Sequence, residues 1–552
     1  MNLRIVLILL SFLFVIFSFS PSLYELASRN QLPTNRTFVL EHNYMFDYNF
    51  YLSRIRQGME GRWLVVEKYY SEPHGGSLFQ IVYLYLGKLG GVFSLSPTAV
   101  YHVSRLIFGF VLLFLISRYC QYFFKGWWVV VCFLFVVTMG SFPVLVFVNG
   151  IPRFATHMGW WSAIDSLQRI TFIPHILIGQ IGLLLFLRWF SEGRSLEVFK
   201  LLMMGVLGFL IGIIFPPTLI VMYVFFVVLT VLEFVLEKKG IVKKIIPRII
   251  FFIFSFPSLI YLKLMFQIQP WKALAIFDIE HRILLPYGEY FLALGPLLPL
   301  GILGGILVLI KKKINFYPLI SWVVSVFVLF MIFENVPEQS PSRFTEAALN
   351  IPLGILATYF FVWVLGYIGH LRYVRIGVGI IISLIILMGL GVMVSMVGWL
   401  TDQIFAKRVA TFNVPIGAQL AYPLTDFMEG VYYLADSTDK NSVVLTYVTA
   451  GNFIPAYAGN FVYIGHANTP DENWKEIVVA RFFKGEMSSD EARKLLKDNR
   501  IRYIFFGPQE KELGGVEELL EVYPFMRKIY QKGSVTLYHF IENDNPIIEN
   551  GS

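Results

Sequence analysis

The sequence predicts a polytopic α-helical membrane protein of about 11 transmembrane helices with a small C-terminal extracytoplasmic α/β domain. The chain of 552 residues is 56% hydrophobic and 15% charged, whereas a soluble globular domain has about 25% charged residues. The shortage of charge is uneven, because charged residues make up about 12% of residues 1–399 but about 23% of residues 400–552. This composition excludes a disordered chain and an ordinary soluble enzyme. It predicts a membrane domain over residues 1–400 and a soluble domain over residues 401–552.

Eleven apolar runs are the predicted transmembrane helices, since a helix needs roughly 20 mainly apolar residues to cross a bilayer. They cover residues 4–19, 98–116, 127–148, 171–190, 201–215, 218–234, 249–265, 291–310, 316–333, 347–368 and 376–399. Residues 4–19 are interpreted as a retained anchor, because no small-residue cleavage site of the signal-peptide type follows them. A further run, residues 77–96, contains Lys88 and three glycines, and we interpret it as lying on the membrane surface.

The basic residues predict the orientation of these helices. Lys and Arg in short loops stay on the cytoplasmic side, and the predicted loops hold fifteen of them on one side and six on the other. We therefore expect a plasma (inner) membrane protein with its amino terminus inside and its C-terminal domain outside. Counting residues 77–96 as a span would place the basic residues at 238–244 outside. The net charge of +8 then reflects cytoplasmic loops, and a nucleic-acid partner is not predicted.

The tail alternates the periodicities of strands and helices. Strands are predicted over residues 442–448, 461–464 and 501–506, helices over residues 472–483, 488–498 and 510–522, and a hairpin pairs residues 525–530 with 535–541. Ser488 and Glu491 have the spacing of a capping box, which favours a helix start there. The chain has only two cysteines, Cys120 and Cys132, so a disulfide framework is not predicted.

The first outer loop, residues 20–97, is far longer than a helix connection requires, which is typical of functional loops. It carries Asp47 just before an apolar-periodic helix. Asp47 could be the N-cap of that helix, or a general base that takes a proton from an acceptor hydroxyl at the membrane surface. Glu41 is the alternative base. His42 is either a hydrogen-bonding loop residue or a substrate contact.

The second outer loop, residues 149–170, combines aromatic and charged residues. Trp160 and Trp161 fit the aromatic belt of a membrane interface, or a platform that stacks on a sugar ring or a polyprenyl chain. Asp165 and Arg169 are four residues apart and would pair on a helix. Arg169 and His175 also lie at the predicted outer boundary, where cations could hold a phosphate.

Further cations fall at the same predicted depth. Arg105 and His102 lie one turn inside the second span, where ionisable residues are costly and usually functional. Arg343 stands in Pro-Ser-Arg-Phe-Thr-Glu just before a span. It is a better candidate for a phosphate ligand than Lys263 and Lys272, which fit snorkelling anchors. Together these residues predict one outer pocket of carboxylates and cations, suited to an anionic lipid whose head group reacts with a second molecule.

This pattern resembles the GT-C superfamily of membrane glycosyltransferases, which includes protein O-mannosyltransferases and the bacterial aminoarabinose transferase. The resemblance covers roughly residues 1–400. It lies in an anchor helix, a long outer loop with Asp47 soon after that helix, and the segments Arg54-Ile-Arg56-Gln-Gly58 and Gly61-Arg62-Trp63. It implies that Asp47 is the catalytic base and that the outer cations hold the phosphate of a polyprenyl-phosphate-linked sugar. Some members use a divalent metal, for which Asp165 is the further ligand candidate.

Two tail segments, Gly451-Asn-Phe-Ile-Pro-Ala-Tyr-Ala-Gly459 and Val462-Tyr-Ile-Gly-His466, can be interpreted in two ways. Their glycines and proline fit turns that follow strands. Alternatively, they recognise the acceptor, with His466 as a candidate contact.

The leading hypothesis is inverting transfer of a sugar from a polyprenyl-phosphate carrier to an extracytoplasmic glycan, lipid or protein acceptor. Asp47 would be the base, and cations among Arg105, Arg169, His175 and Arg343 would stabilise the leaving phosphate. No cofactor beyond a possible divalent metal is implied, and the other partner is the lipid bilayer. A lipid-linked-sugar flippase or transporter is the non-enzymatic alternative, although such proteins commonly show repeats and midplane charges. An O-antigen-type polymerase is the third possibility, and product chain length would distinguish it.

Overall fold

The computed structural model of the protein describes residues 3–191, 198–236, 241–417 and 419–541. Its helices are α1 Leu3–Ala27, α2 Met45–Met59, α3 Ile81–Val92, α4 Pro97–Phe123, α5 Trp127–Thr138, α6 Pro174–Ser191, α7 Val198–Ile214, α8 Pro216–Leu236, α9 Ile241–Ser255, α10 Pro257–Met265, α11 Trp271–Glu280, α12 Tyr287–Leu294, α13 Leu297–Ile310, α14 Tyr317–Phe333, α15 Asn350–Ile368, α16 Arg372–Val409, α17 Thr425–Ser437, α18 Val448–Tyr457, α19 Glu472–Phe483, α20 Ser489–Asp498 and α21 Pro508–Glu512. Its strands are β1 Val144–Val148, β2 Ile151–Ala155, β3 Val443–Leu445, β4 Phe461–Val462, β5 Ile501–Phe506, β6 Met526–Lys532 and β7 Val535–Phe540. Three basic residues used to predict the orientation, Arg194, Lys238 and Lys239, lie outside the described residues.

The described residues form two compact units. We call the first the membrane unit, which comprises the described residues of Met1–Pro21, His102–Lys263 and Asp278–Thr401. We call the second the loop–tail unit, which comprises those of Ser22–Tyr101, Leu264–Phe277 and Asp402–Ser552. The long first loop is therefore grouped with the tail. The boundary predicted near residue 400 from composition alone stays a prediction.

The protein is a multi-pass membrane protein of mostly helical structure. Eight stretches of the described chain are long and apolar enough to cross a bilayer, or nine if the pair α12 and α13, bent by 83°, counts as one span. Two predicted spans fall on shorter apolar helices, α5 with 12 residues and α7 with 17. All eleven predicted runs thus contain helix, but the number that meets the length of a full span is eight or nine. The run predicted to lie on the membrane surface contains α3, which has 12 residues.

The predicted span over residues 127–148 is wrong in its second half. Helix α5 ends at Thr138, and Val144–Val148 is strand β1, paired antiparallel with β2. Gly140 and Pro143 lie between them, and both residue types disfavour continuation of a helix. The second outer loop therefore starts earlier than predicted and contains a hairpin.

Close helix packing in the membrane unit depends on small residues, as is common between transmembrane helices. A Cβ atom on Gly304 of α13 would lie 2.0 Å from the carbonyl oxygen of Leu356 in α15. Only glycine permits this approach. The Gly-x-x-Gly-Gly run at residues 301–305 is thus a packing surface, as its sequence indicates.

The loop–tail unit contains a five-stranded sheet in the order β4-β3-β5-β7-β6. Strands β4, β3 and β5 are parallel, and β7 and β6 continue the sheet antiparallel. The predicted tail elements at residues 472–483 and 501–506 coincide with α19 and β5, and the Ser488 hydroxyl accepts the N–H of Glu491 at 3.2 Å as a helix cap. The helix predicted over residues 510–522 is wrong, because Gly514 and Gly515 both adopt positive φ and interrupt it.

Candidate functional site

Asp47 lies in the first turn of α2, two residues after the helix begins at Met45. Tyr44 is the N-cap residue and makes no side-chain cap bond, so Asp47 is not the N-cap. A carboxylate in the first turn is stabilised by the partial positive charge of the helix N-terminus. Its side chain is 52% exposed. The carboxylate is therefore anchored by the helix and open to solvent.

The residue that faces Asp47 is His466, which follows strand β4. Its Nε2 atom lies 3.7 Å from Oδ1 of Asp47, and its side chain is 7% exposed. The other ring nitrogen, Nδ1, accepts the backbone N–H of Asn468 at 3.2 Å. The sequence indicated Asp47 and His466 as separate candidates, but it contained no signal that predicts their contact.

An aromatic layer lies against the imidazole of His466. The ring of Phe50 stacks on it with centroids 4.6 Å apart, and Tyr69 lies at 5.3 Å. The guanidinium of Arg54 lies 3.6 Å from the centroid of Phe50 and binds the Glu67 carboxylate at 2.6 Å. Arg54 belongs to the segment that carried the family resemblance, and its partners are all buried. The imidazole is thus held in one orientation by rigid neighbours.

Helix α2 is fixed against α18 by a ladder of amide hydrogen bonds. Asn49 donates to the side-chain oxygen of Asn452 at 2.8 Å, and Asn452 donates to the Phe46 carbonyl at 3.2 Å. The Tyr69 hydroxyl donates to the Asn452 carbonyl at 3.2 Å. A Cβ on Gly451 would lie 1.9 Å from the carbonyl oxygen of Ile464. Most of the segment 451–459, which the sequence indicated as turns, therefore belongs to helix α18. This helix packs tightly against the backbone just before His466.

Glu41 and His42 are both buried in the loop–tail unit. The Glu41 carboxylate accepts the N–H of Asn43 at 2.7 Å. His42 Nδ1 lies 2.8 Å from Glu25, which also binds the ammonium group of Lys407 at 2.8 Å. Lys407 further donates to the carbonyl oxygens of Val39 and Glu41. These bonds favour a structural role for both residues, and their assignment to substrate binding stays a prediction.

Two predicted phosphate ligands of the membrane unit donate to backbone carbonyls. Arg105 donates through Nε to Thr171 at 2.7 Å. Arg169 donates to the carbonyls of Val137 and Met139 at 3.0 and 2.7 Å. A cation at the C-terminal end of α5 complements the orphan carbonyls there. Both guanidinium groups are thus held in place by structural bonds, and phosphate binding by either stays a prediction.

The Asp165 carboxylate accepts backbone hydrogen bonds in the structure. Its Oδ1 accepts the N–H groups of Leu167 and Gln168 at 3.0 and 2.8 Å, at the start of a 3₁₀ turn at Gln168–Thr171. Its Oδ2 is buried without a hydrogen-bond partner among the described residues. Burial raises the pKa of this carboxyl, while the backbone donors and Arg169 oppose the shift. The predicted pairing with Arg169 is therefore electrostatic at most.

The two loop tryptophans differ in their surroundings. The indole N–H of Trp161 donates to the Thr345 hydroxyl at 2.8 Å, whereas Trp160 is 58% exposed. Their ring centroids lie 5.8 Å apart. His175, at the start of α6, packs edge-on against Phe215 at 5.8 Å. An exposed Trp160 is compatible with both interpretations made from the sequence.

Arg343 lies between two carboxylates of the membrane unit. Its guanidinium is 3.7 Å from Asp278 and 3.9 Å from Glu346. Glu346 is buried, and its Oε2 has no partner in the described chain. Burial raises the pKa of Glu346 to about 7, against the lowering effect of Arg343. Phosphate binding by Arg343 would thus compete with these two acids, and it stays a prediction.

The membrane unit also contains a small cavity of about 30 Å³, which is room for about one water molecule. Its walls are mostly apolar, with Arg169, Gln180 and Asn350 among the lining residues. The Tyr290 hydroxyl, on another lining residue, is buried without a partner in the described residues. A cavity of this size is too small for a sugar or a lipid head group.

The described side chains around Asp47 do not make a complete set of zinc ligands. In the described parts of the chain, no three His, Cys, Asp or Glu side chains converge as a metal site would require. Asp47 and His466 supply two candidate donors, which is fewer than the three or four protein ligands of a zinc site. A Mg²⁺ ion needs only one or two carboxylates, because waters and substrate phosphates complete its coordination shell.

Comparison with known proteins identifies the fold of this chain. No protein-family model and no curated protein sequence matches the chain. Among solved structures, the chain is similar to the oligosaccharyltransferase AglB of Archaeoglobus fulgidus in complex with an inhibitory peptide and a dolichol-phosphate. The TM-score is 0.54 at 12% identity, and the match covers 100% of this chain and 75% of that one. It is also similar to ArnT of Cupriavidus metallidurans bound to undecaprenyl phosphate, with a TM-score of 0.50, 12% identity and coverage of 96% and 97%. These similarities, to GT-C membrane glycosyltransferases over nearly the whole chain, show that the protein has the GT-C fold.

Proposed function

We propose that the protein is an inverting glycosyltransferase that moves a sugar from a polyprenyl-phosphate carrier to an acceptor on the extracytoplasmic side. Two observations support this proposal. The chain shares its fold with glycosyltransferases solved with a dolichol-phosphate or undecaprenyl phosphate. The observation that carries the mechanism is Asp47, a half-exposed carboxylate held on a helix N-terminus against a buried histidine.

In this mechanism an Asp47 oxygen takes the proton of the acceptor hydroxyl. The acceptor oxygen forms a bond to the anomeric carbon of the sugar, while the bond from that carbon to the phosphate oxygen breaks. The polyprenyl phosphate leaves with the electron pair, and a single displacement inverts the anomeric centre. A positioned general base contributes about 10²–10⁴-fold to such a rate.

The cations of the membrane unit are the proposed partners of the departing phosphate. Arg343 is 41% exposed at its side chain, and His175 is partly exposed at the start of α6. Arg105 and Arg169 already donate to backbone carbonyls. All four stay candidates for this role, and Arg343 would bind a phosphate in competition with Asp278 and Glu346.

The test compares Asp47→Asn with the wild-type chain in lipid nanodiscs, given a panel of undecaprenyl- and dolichyl-phosphate monosaccharides. We expect Asp47→Asn to fold normally and to lose transfer by about 10²-fold or more, because an amide cannot accept the proton. Asp490→Asn is the matched control, since Asp490 is an exposed acid in the first turn of another helix, α20.

Normal turnover by Asp47→Asn would remove the base assignment. Retention of anomeric configuration in the product would contradict the single displacement. Movement of the lipid-linked sugar across vesicles without transfer would instead favour a flippase or transporter. Long repeating products would favour a polymerase.

A further inference from the structure

We propose that His466 is a positioning residue whose Nε2–H group faces Asp47, closes to a hydrogen bond when the acceptor binds, and so aims the Asp47 carboxylate at the acceptor hydroxyl. This inference rests on the proposed function, in which Asp47 is the base. It gives the C-terminal domain a part in the reaction, because His466 lies in the tail and Asp47 lies in the first outer loop.

The hydrogen-bond partners of the imidazole determine its tautomer. Nδ1 accepts the backbone N–H of Asn468, so its lone pair is occupied. The neutral ring must then carry its hydrogen on Nε2, the atom that lies 3.7 Å from Asp47 Oδ1. This assignment follows from the partners, since hydrogens are inferred from the network of bonds. The ring therefore presents a donor to the carboxylate.

The same geometry divides the roles between the two residues. A general base needs a free lone pair that faces the acceptor, and the neutral His466 has none that is free. Asp47 has two carboxylate oxygens and is half-exposed. One oxygen can face the histidine donor while the other takes the proton. His466 is thus suited to orient the base and not to replace it.

The surroundings of His466 explain how it can hold this position. Phe50 stacks on the imidazole and belongs to the same helix as Asp47. The Asn49–Asn452 bond ties that helix to α18, and Gly451 of α18 lies directly against the chain just before His466. Donor and acceptor are therefore carried on packed elements, as positioning demands. A contact of 3.7 Å can close to a hydrogen bond when the acceptor binds, as catalytic contacts often do.

Three substitutions of His466 distinguish the effect of its Nε2–H donor from the effect of its aromatic ring. His466→Gln keeps an N–H near the position of Nε2. His466→Asn keeps an acceptor near the position of Nδ1 but removes the donor that faces Asp47. His466→Phe keeps the stacking on Phe50 and removes both nitrogens. His539→Phe is a matched control, since His539 is a partly buried histidine on β7 of the same tail.

We expect His466→Gln to keep kcat within about threefold of wild type. His466→Asn and His466→Phe should lose about 10²-fold in kcat with little change in KM, because a misdirected base lowers the rate without weakening binding. Wild-type kcat in His466→Phe would overturn the proposal. So would a His466→Gln variant as slow as His466→Phe, since the ring itself would then matter and not its donor. Thermal unfolding of each variant identifies any that fails to fold.

A second measurement does not depend on activity. Solid-state NMR of the full chain, labelled with ¹³C and ¹⁵N histidine in lipid bilayers, reports the tautomer of His466, assigned by the signal lost in His466→Gln. We expect a hydrogen on Nε2 and a change of the ¹⁵N shift in Asp47→Asn. A hydrogen on Nδ1 would overturn the proposal even in an active enzyme. The expected tautomer in a chain that transfers no sugar would leave the contact established and reject the proposed function alone.

Discussion

At the residue scale, the buried acids of this protein differ in whether a cation neutralises them. Glu25 contacts the Lys407 ammonium at 2.8 Å, and Glu67 contacts the Arg54 guanidinium at 2.6 Å. Glu346 has Arg343 only at 3.9 Å and leaves one oxygen without a partner in the described chain. A buried carboxylate without close compensation favours its protonated form. Glu346 is therefore an acid whose charge depends on pH near neutrality.

The first prediction is that Glu346 makes stability depend on pH. Its pKa in the folded protein is about 7, above the ordinary value of 4.5, so the folded state holds a proton that the unfolded state releases. The contribution of the protonated Glu346 carboxyl to the free energy of unfolding is fully present below pH 4.5. It is lost as the pH rises through 7. A pKa shift of this size corresponds to about 3 kcal/mol in the free energy of unfolding. Glu346→Gln should remove this part of the pH dependence.

The measurement is the thermal unfolding midpoint in one detergent at pH 5 and pH 8. The wild-type midpoint should fall between these values by more than that of Glu346→Gln. Glu338→Gln is the control, because Glu338 is an exposed acid in the same loop. Equal falls in wild type and Glu346→Gln would show that the folded protein binds no extra proton there.

At the element scale, helix α18 depends on tertiary contacts more than on its own sequence. Gly451, Pro455 and Gly459 are typical of turns, and they led to the interpretation of this segment as a turn. The segment forms a helix because Asn452 bonds to α2 and Gly451 lies against the chain after β4. Its position therefore controls that of His466.

The second prediction concerns Gly451→Ala. The added Cβ would lie 1.9 Å from the Ile464 carbonyl oxygen, so backbone must move, at a cost of about 1–3 kcal/mol. We expect a lower unfolding midpoint together with slower transfer. Gly75→Ala is the matched control, since a Cβ at Gly75 meets nothing within 4 Å. A normal midpoint in Gly451→Ala would mean that α18 can shift freely.

Elements with a strong local signal were predictable from the sequence. The apolar runs gave the helices of the membrane unit, and the periodicity of residues 472–483 and 501–506 gave α19 and β5. The hairpin β1–β2 was not predicted, because its strand Val144–Val148 is as apolar as a transmembrane helix. Asp47 was predicted as a candidate site residue from its place in the loop. Its contact with His466 was not, because separation along the chain gives no distance between such remote residues.

At the scale of the whole molecule, similarity to solved structures identifies the fold. The orientation in the membrane is instead a prediction from the distribution of basic residues. The basic residues Lys311–Lys313 lie between α13 and α14, and Arg372 begins α16. The positive-inside rule places both sites in the cytoplasm. The tail would then lie on the opposite side, as the proposed function requires.

The third prediction tests this orientation by cysteine labelling in intact cells. Ser489→Cys, at an exposed tail position, should react with a membrane-impermeant maleimide, while Lys311→Cys should react only after permeabilisation. Background labelling is low because Cys120 and Cys132 are buried. The reverse pattern would place the C-terminal domain in the cytosol and reject transfer on the outer side.

The pairing of Asp47 with His466 has a consequence for biosynthesis. Asp47 is made early and His466 late, and the helices of the membrane unit that follow α1 are translated between them. A nascent chain whose helices have already inserted therefore carries the proposed base without the histidine proposed to position it. Premature release from the ribosome would leave an integrated but poorly active polypeptide, so transfer would begin only after the last strands have joined their sheet.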